Sequence, residues 1–226
     1  MLSLWRLPAL YACNARVIFS GDPRFVDGVS MNHLAGRNNN DVNGILIANL
    51  NLGFIPGNIS NFFPNIITVN MVVCQISEIK QEDIKSFRQL QQFDVDQNKI
   101  REIPNGFFDE NRDLKFISFS NNPMKHISFN VFDDLSSLER LHFGGNFCIN
   151  TYGENRAEVL DLIFRVAVDC PPTFEMILDR VEANILHGTQ LEKKIDEQVS
   201  ERINPLVWSI MNIEKRVNVL ESKQGE

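Results

Sequence analysis

Apolar residues recur along residues 42–148 with a constant step of 24. Laid on the pattern L-x-x-L-x-L-x-x-N-x-L, the first register holds Val42, Ile45, Ile47, Leu50 and Leu52. The next four hold Ile66, Val69, Met71, Cys74 and Ile76; Leu90, Phe93, Val95, Asn98 and Ile100; Leu114, Ile117, Phe119, Asn122 and Met124; and Leu138, Leu141, Phe143, Asn146 and Cys148. Further apolar columns keep the same step: Ile55, Ile79, Ile103 and Ile127; Ile84, Phe108 and Phe132; Phe63, Phe87 and Leu135. The two-residue alternation predicts one short strand per register. The fourth and sixth pattern positions turn to the core and the residues between them to solvent.

Three asparagines, Asn98, Asn122 and Asn146, stand where the chain leaves the strand and turns. A side-chain amide has donors and an acceptor, so a column of them can satisfy buried backbone groups from turn to turn. Leu50 and Cys74 hold this position in the first two registers, where apolar contact with the preceding segment would replace the amide. The phenylalanine columns predict a stacked aromatic spine filling the core.

Five registers at this spacing resemble the leucine-rich repeat family, in the 24-residue form common outside the cell. The resemblance implies an α/β right-handed solenoid whose strands form a parallel sheet on the concave face. It divides the chain into an N-terminal cap (13–41), five repeats (42–147), a C-terminal cap (148–171) and a tail (172–226). In the first cap, Cys13–Phe19 and Phe25–Val29 read as short strands joined by a turn at 20–23. In the second, residues 154–167 carry helical spacing through Ala157, Leu160, Ile163 or Phe164, and Ala167, and Pro171-Pro172 ends the element. Cys148 and Cys170 bracket that helix, as in the C-terminal caps of extracellular repeat proteins, so the resemblance implies a bridge between them. Cys13 and Cys74 remain, either as a second bridge or with Cys74 as a small buried core residue. Disulfide-bonded caps place a protein in an oxidising compartment.

Beyond Pro172 the pattern changes. From Ile203, steps of three and four alternate through Leu206, Ile210, Ile213, Val217 and Leu220, which predicts an α-helical coiled coil. Its seam wants a partner helix, from a second copy or from another protein. Residues 1–12 (MLSLWRLPALYA) are apolar but interrupted by Arg6 and Pro8, and read as the remnant of a signal peptide or as an untidy terminus. Asn58-Ile59-Ser60 is a glycosylation sequon.

Composition narrows the function. A net charge of −7 and a pI near 5.2 argue against a nucleic-acid partner, and no apolar run approaches a membrane span. The 17 phenylalanines and 25 asparagines are the repeat columns seen as composition. Phosphate-binding glycine motifs and H-E-x-x-H are absent. Neither catalysis nor a resident metal or cofactor is expected. Candidate chemistry lies instead on the concave face, in Gln92, Asp94, Asp96, Phe116, Ser118, Arg140 and His142. The two carboxylates and the histidine fit no known triad, and an acidic, solvated patch is the expected reading. Ser118→Ala should then change stability by less than about 0.5 kcal/mol.

The function expected is a secreted recognition module that binds a protein or surface ligand on its concave face. Its combination of repeats and C-terminal helices resembles the leucine-rich immune molecules of insects, which implies innate immune recognition. Two other readings stay open: a structural or adhesive matrix protein, and an intracellular scaffold with reduced cysteines.

Overall fold

The computed structural model describes residues 11–186, except positions 15, 20, 21, 23 and 31. The coiled-coil seam at 203–220 and the first ten residues lie outside the described residues. The chain divides into two units, Met1–Met176 and Ile177–Glu226.

In the first unit the step of 24 becomes a backbone ladder. Strands β1 (Ala12–Asn14), β2 (Arg16–Ile18) and β3 (Gly28–Ser30) precede the repeats. The repeats then bring β4 (Gly44–Ala48), helix α1 (Ile59–Phe62), β5 (Thr68–Val72), helix α2 (Gln81–Ile84), β6 (Gln92–Asp94), β7 (Glu102–Ile103), β8 (Phe116–Ser118), β9 (His126–Ile127) and β10 (Arg140–His142). Last come β11 (Tyr152–Gly153) and helices α3 (Arg156–Asp169) and α4 (Phe174–Leu186). One seven-stranded sheet runs β1-β4-β5-β6-β8-β10-β11. Its pairs are parallel up to β10, and β11 closes the edge antiparallel. Gly44, Thr68, Gln92, Phe116 and Arg140 lie side by side, each 24 residues from the next. Strands β7 and β9 form a second, two-stranded parallel ribbon, in which Ile103 faces Ile127. The solenoid makes about four turns.

The fourth and sixth pattern positions fill the core. Val69, Met71, Phe93, Val95, Ile117, Phe119, Leu141 and Phe143 are fully buried. Phe93 meets Phe107, Phe108 and Phe119 at centroid distances of 5.8, 6.0 and 5.8 Å, and Phe119 stacks on Phe143 at 5.9 Å. One phenylalanine column carries a polar replacement at an unbroken step of 24. Between Phe87 and Leu135 stands Asn111, fully buried, whose Nδ2 donates to the carbonyls of Ile84 and Phe87.

The asparagine column bonds from turn to turn. Asn98 Nδ2 donates to the carbonyls of Met71 (2.8 Å) and Val95 (2.9 Å), and its Oδ1 accepts from the amides of Cys74 and Ile76. Asn122 and Asn146 repeat this pattern one turn on each, accepting from Ile100 and Met124 respectively. The residue before each ladder position is left-handed: Asn49, Val73, Gln97, Asn121 and Gly145 all have φ between 55° and 73°. There the backbone of the first four turns its N–H to the next repeat, onto Val72, Asp96, Ser120 and Gly144 respectively. Asparagine and glycine accept this conformation readily, but a β-branched valine does so at a cost of about 1–2 kcal/mol. Val73→Asn should therefore raise the unfolding free energy by about 1 kcal/mol in a urea melt. A loss of stability would mean that the packing of the valine outweighs its strain.

The caps depart from expectation at one bridge. Cys148 and Cys170 are bonded, with Cα atoms 5.1 Å apart. Cys74, however, is a free thiol, so the Cys13–Cys74 bridge is not formed. Cys74 is fully buried, and its Sγ lies 3.3–3.4 Å from the carbonyl oxygens of Val72 and Ile47. It is a small core residue at a ladder position. Leu50, at the equivalent position one turn earlier, is exposed rather than packed on the cap.

In α3, Asn155 caps the N-terminus by accepting from the Glu158 amide. The buried face is Val159, Leu162 and Val166, not the stripe through Ala157, Leu160 and Phe164. The helix carries two apolar stripes, and sequence spacing shows only that each is helical. Among the described residues no helix is long and apolar enough to cross a membrane.

Candidate functional site

The face of the sheet turned away from the core gathers every candidate residue, because all of them stand at alternate positions of β6, β8 and β10 or in the loops that leave them. Period two sends their side chains outward, but neighbouring repeats crowd them. Gln92 and Phe116 are buried, Ser118 is only 1% exposed, and Asp94, Asp96, Arg140 and His142 are half-buried. The solvated acidic patch expected from sequence is thus a partly dry polar network.

One half of that network is rich in acceptors. Asn70 Nδ2 on β5 donates to Asp94 Oδ2 at 2.9 Å, and the Asp96 amide donates to Asp94 Oδ1 at 3.1 Å. Asp96 Oδ1 accepts from Ser118 Oγ at 2.5 Å and from the Ser120 amide at 2.7 Å. Ser118 is therefore tied into the network, and Ser118→Ala is no neutral control, contrary to the expectation from its outward direction. Among the described residues, the buried Thr68 Oγ1 and Asn70 Oδ1 have no hydrogen-bond partner.

The two carboxyl groups share this space at an electrostatic cost. Burial, and then the neighbouring charge of Asp96, push the Asp94 pKa up to about 7. Burial also raises Asp96, against the lowering effect of the bonds from Ser118 and Ser120. Asp94 is thus the carboxyl of the pair that takes up a proton more readily. A carboxyl raised by folding binds its proton more tightly in the folded state. Its contribution to stability is complete below about pH 4, the unfolded value, and is lost as pH rises through about 7. Asp94→Asn mimics the protonated acid. The variant should gain stability relative to wild type as pH climbs from about 4 to about 7. Identical pH slopes in denaturant melts of the two proteins would contradict the assignment.

The other half of the face is aromatic and cationic. The Phe116 ring meets His142 edge-on at 5.0 Å, and the Arg140 guanidinium lies over it at 5.1 Å. His142 in turn meets Tyr152 at 5.9 Å. Burial depresses the His142 pKa, while the nearby carboxylates of Glu154 and Asp96 oppose it. His142 Nε2 lies 3.1 Å from Glu154 Oε1. Tyr152 and Glu154 were not among the sequence candidates. They follow the last repeat and reach the face only because β11 folds back antiparallel on β10, which no repeat column reveals. Tyr152 is 64% exposed and is the most accessible aromatic side chain beside the patch.

The face thus joins a carboxyl pair bonded to Asn70, Ser118 and Ser120 with a histidine set between aromatic rings and the Glu154 carboxylate. Among the described residues, no group of three or more metal-ligating side chains is placed to hold an ion. A cleft of about 190 Å³ elsewhere is lined by Arg24, Phe54, Glu78, Lys80, Glu82 and Asp83, and in it Lys80 pairs with Glu78 at 2.6 Å and Arg24 with Glu78 at 3.9 Å.

A leucine-rich repeat family model matches residues 88–146, and the parallel-sheet solenoid is a leucine-rich repeat fold. No curated protein matches the chain in sequence. Among solved structures, one from the LRIM1/APL1C complex is 20% identical with a TM-score of 0.45, covering 47% of this chain and 20% of that one. Another, from the Toll–Spatzle complex of Drosophila development and innate immunity, is 18% identical with a TM-score of 0.44, covering 47% of this chain and 14% of that one. The chain thus covers a fifth or less of either structure.

Proposed function

We propose that this leucine-rich repeat chain is a secreted, non-enzymatic recognition module that binds a protein or surface ligand on the concave face of its sheet, in innate immune recognition. The observation that carries the binding role is the Phe116–Arg140–His142–Tyr152 patch. It joins aromatic and guanidinium side chains, the types enriched at binding hot spots, on strands held rigid by the solenoid. The Cys148–Cys170 bridge supports an oxidising compartment. Exposed Asn58, in its sequon, is open to glycosylation there.

The test is capture from extracellular fluid on immobilised full-length protein, with wild type compared with Arg140→Glu and Tyr152→Ala. Loss of the captured partner with either variant supports the reading. Retention unchanged by both would remove the concave face from the interaction. Thiol titration of the native protein separates this reading from the intracellular scaffold, in which Cys148 and Cys170 are reduced.

A further inference from the structure

Helix α3 uses one apolar face to close the solenoid and leaves another bare. Opposite the buried Val159, Leu162 and Val166, the side chains of Leu160, Phe164 and Val168 are 52%, 73% and 65% exposed. At about 100° and 1.5 Å per residue, these three and Ala157 fall within about 80° of arc on one stripe. Single exposed apolar residues are ordinary on a protein surface, but a continuous stripe marks a contact.

The charges along the stripe identify what covers it. Asp161 and Arg165 follow each other along one edge, while the other edge carries Ile163 and Ala167. Both charged residues are exposed, and neither joins an ion pair among the described residues. A two-fold axis through Phe164, perpendicular to the helix, brings a second α3 alongside in the opposite direction. Like edges then meet, and Asp161 of each copy lies beside Arg165 of the other, offset by about 3 Å along the axis. Leu160 of each copy packs near Val168 of the other, and the two Phe164 rings meet on the axis. A parallel pair would set the charged edge against Ile163 and Ala167 and leave all four charges unpaired.

We propose that α3 is a self-complementary surface that binds α3 of a second copy of this chain, antiparallel about Phe164, with reciprocal Asp161–Arg165 ion pairs. A 14-residue helix is about 21 Å long, so the contact falls at the small end of specific interfaces. The dissociation constant expected for such a contact is on the order of micromolar.

Sedimentation of the full chain at about 1–100 µM, spanning that constant, tests this. Wild type should associate with rising concentration. Asp161→Arg and Arg165→Asp each place like charges opposite one another and should weaken self-association roughly tenfold or more. An equimolar mixture of the two variants should recover a one-to-one dimer, because each reversed charge then meets its opposite. Both positions are exposed, so circular dichroism and melting should match wild type. The proposal is overturned by a wild-type monomer across the range. Single variants that associate like wild type would also overturn it, since association would then run through another surface such as the seam at 203–220. So would a mixture that associates no better than its components.

Discussion

Asn122→Ala should lower the unfolding free energy by about 3–5 kcal/mol, far more than the loss of one solvated amide. The side chain is almost wholly buried. Its Oδ1 accepts from the Ile100 amide at 3.0 Å, and its Nδ2 donates to the carbonyls of Val95 and Phe119, both at 3.0 Å. Alanine leaves the Ile100 amide without a partner, at roughly 1–3 kcal/mol, and costs the Val95 and Phe119 carbonyls one of their two bonds, at roughly 0.5–1.5 kcal/mol each, since Asn98 and Asn146 still donate to them. Asn122→Asp should do no better, since it keeps the acceptor but sets carboxylate oxygens against two carbonyls. Lys99→Ala, exposed on the same turn, should stay within about 0.5 kcal/mol. Equally small effects at 99 and 122 in denaturant melts would mean that the asparagine column does not hold the turns together.

The step of 24 was legible because it is carried by inward side chains, whose burial the solenoid enforces at every turn. Strand register and core composition follow from it directly. Other features depend on neighbours that a one-dimensional pattern does not contain. The left-handed column at Asn49, Val73, Gln97, Asn121 and Gly145 is half concealed, because valine and glutamine occupy two positions that favour asparagine or glycine. Cys74 shows the limit of pairing cysteines by elimination: the ladder turn folds it into the core as a free thiol.

At the candidate site, the direction of each side chain was readable but its surroundings were not. Ser118 and Asp94 point outward as alternation requires, yet a side chain between two close-spaced strands is covered by its neighbours. That converts an expected acidic surface into a network in which burial raises both carboxyls. Tyr152 and Glu154 escaped notice for a different reason. They lie outside the repeat and join the face through the antiparallel return of β11.

Loss of the Cys148–Cys170 bridge should cost about 2–5 kcal/mol. The bond closes a separation of 22 residues that contains β11 and α3, a loop size for which chain entropy alone gives roughly 3 kcal/mol. It also fixes both ends of the cover over the terminal repeat. The Cys148 amide donates to the Met124 carbonyl, and the Cys170 carbonyl accepts from the Ile127 amide. Without the bond, α3 is held mainly by Val159, Leu162 and Val166, so its amides should exchange with solvent well before those of the central strands. Cys170→Ser alone also places a hydroxyl in a fully buried position, so Cys148→Ala/Cys170→Ala isolates the bond itself. Cys74 is already a free thiol, so a reductant should destabilise wild type by the same amount as the double alanine variant and should leave that variant unchanged. A further loss on reducing the variant would reveal a second disulfide and contradict the free Cys74. No loss in either experiment would mean that helix packing alone secures the cap.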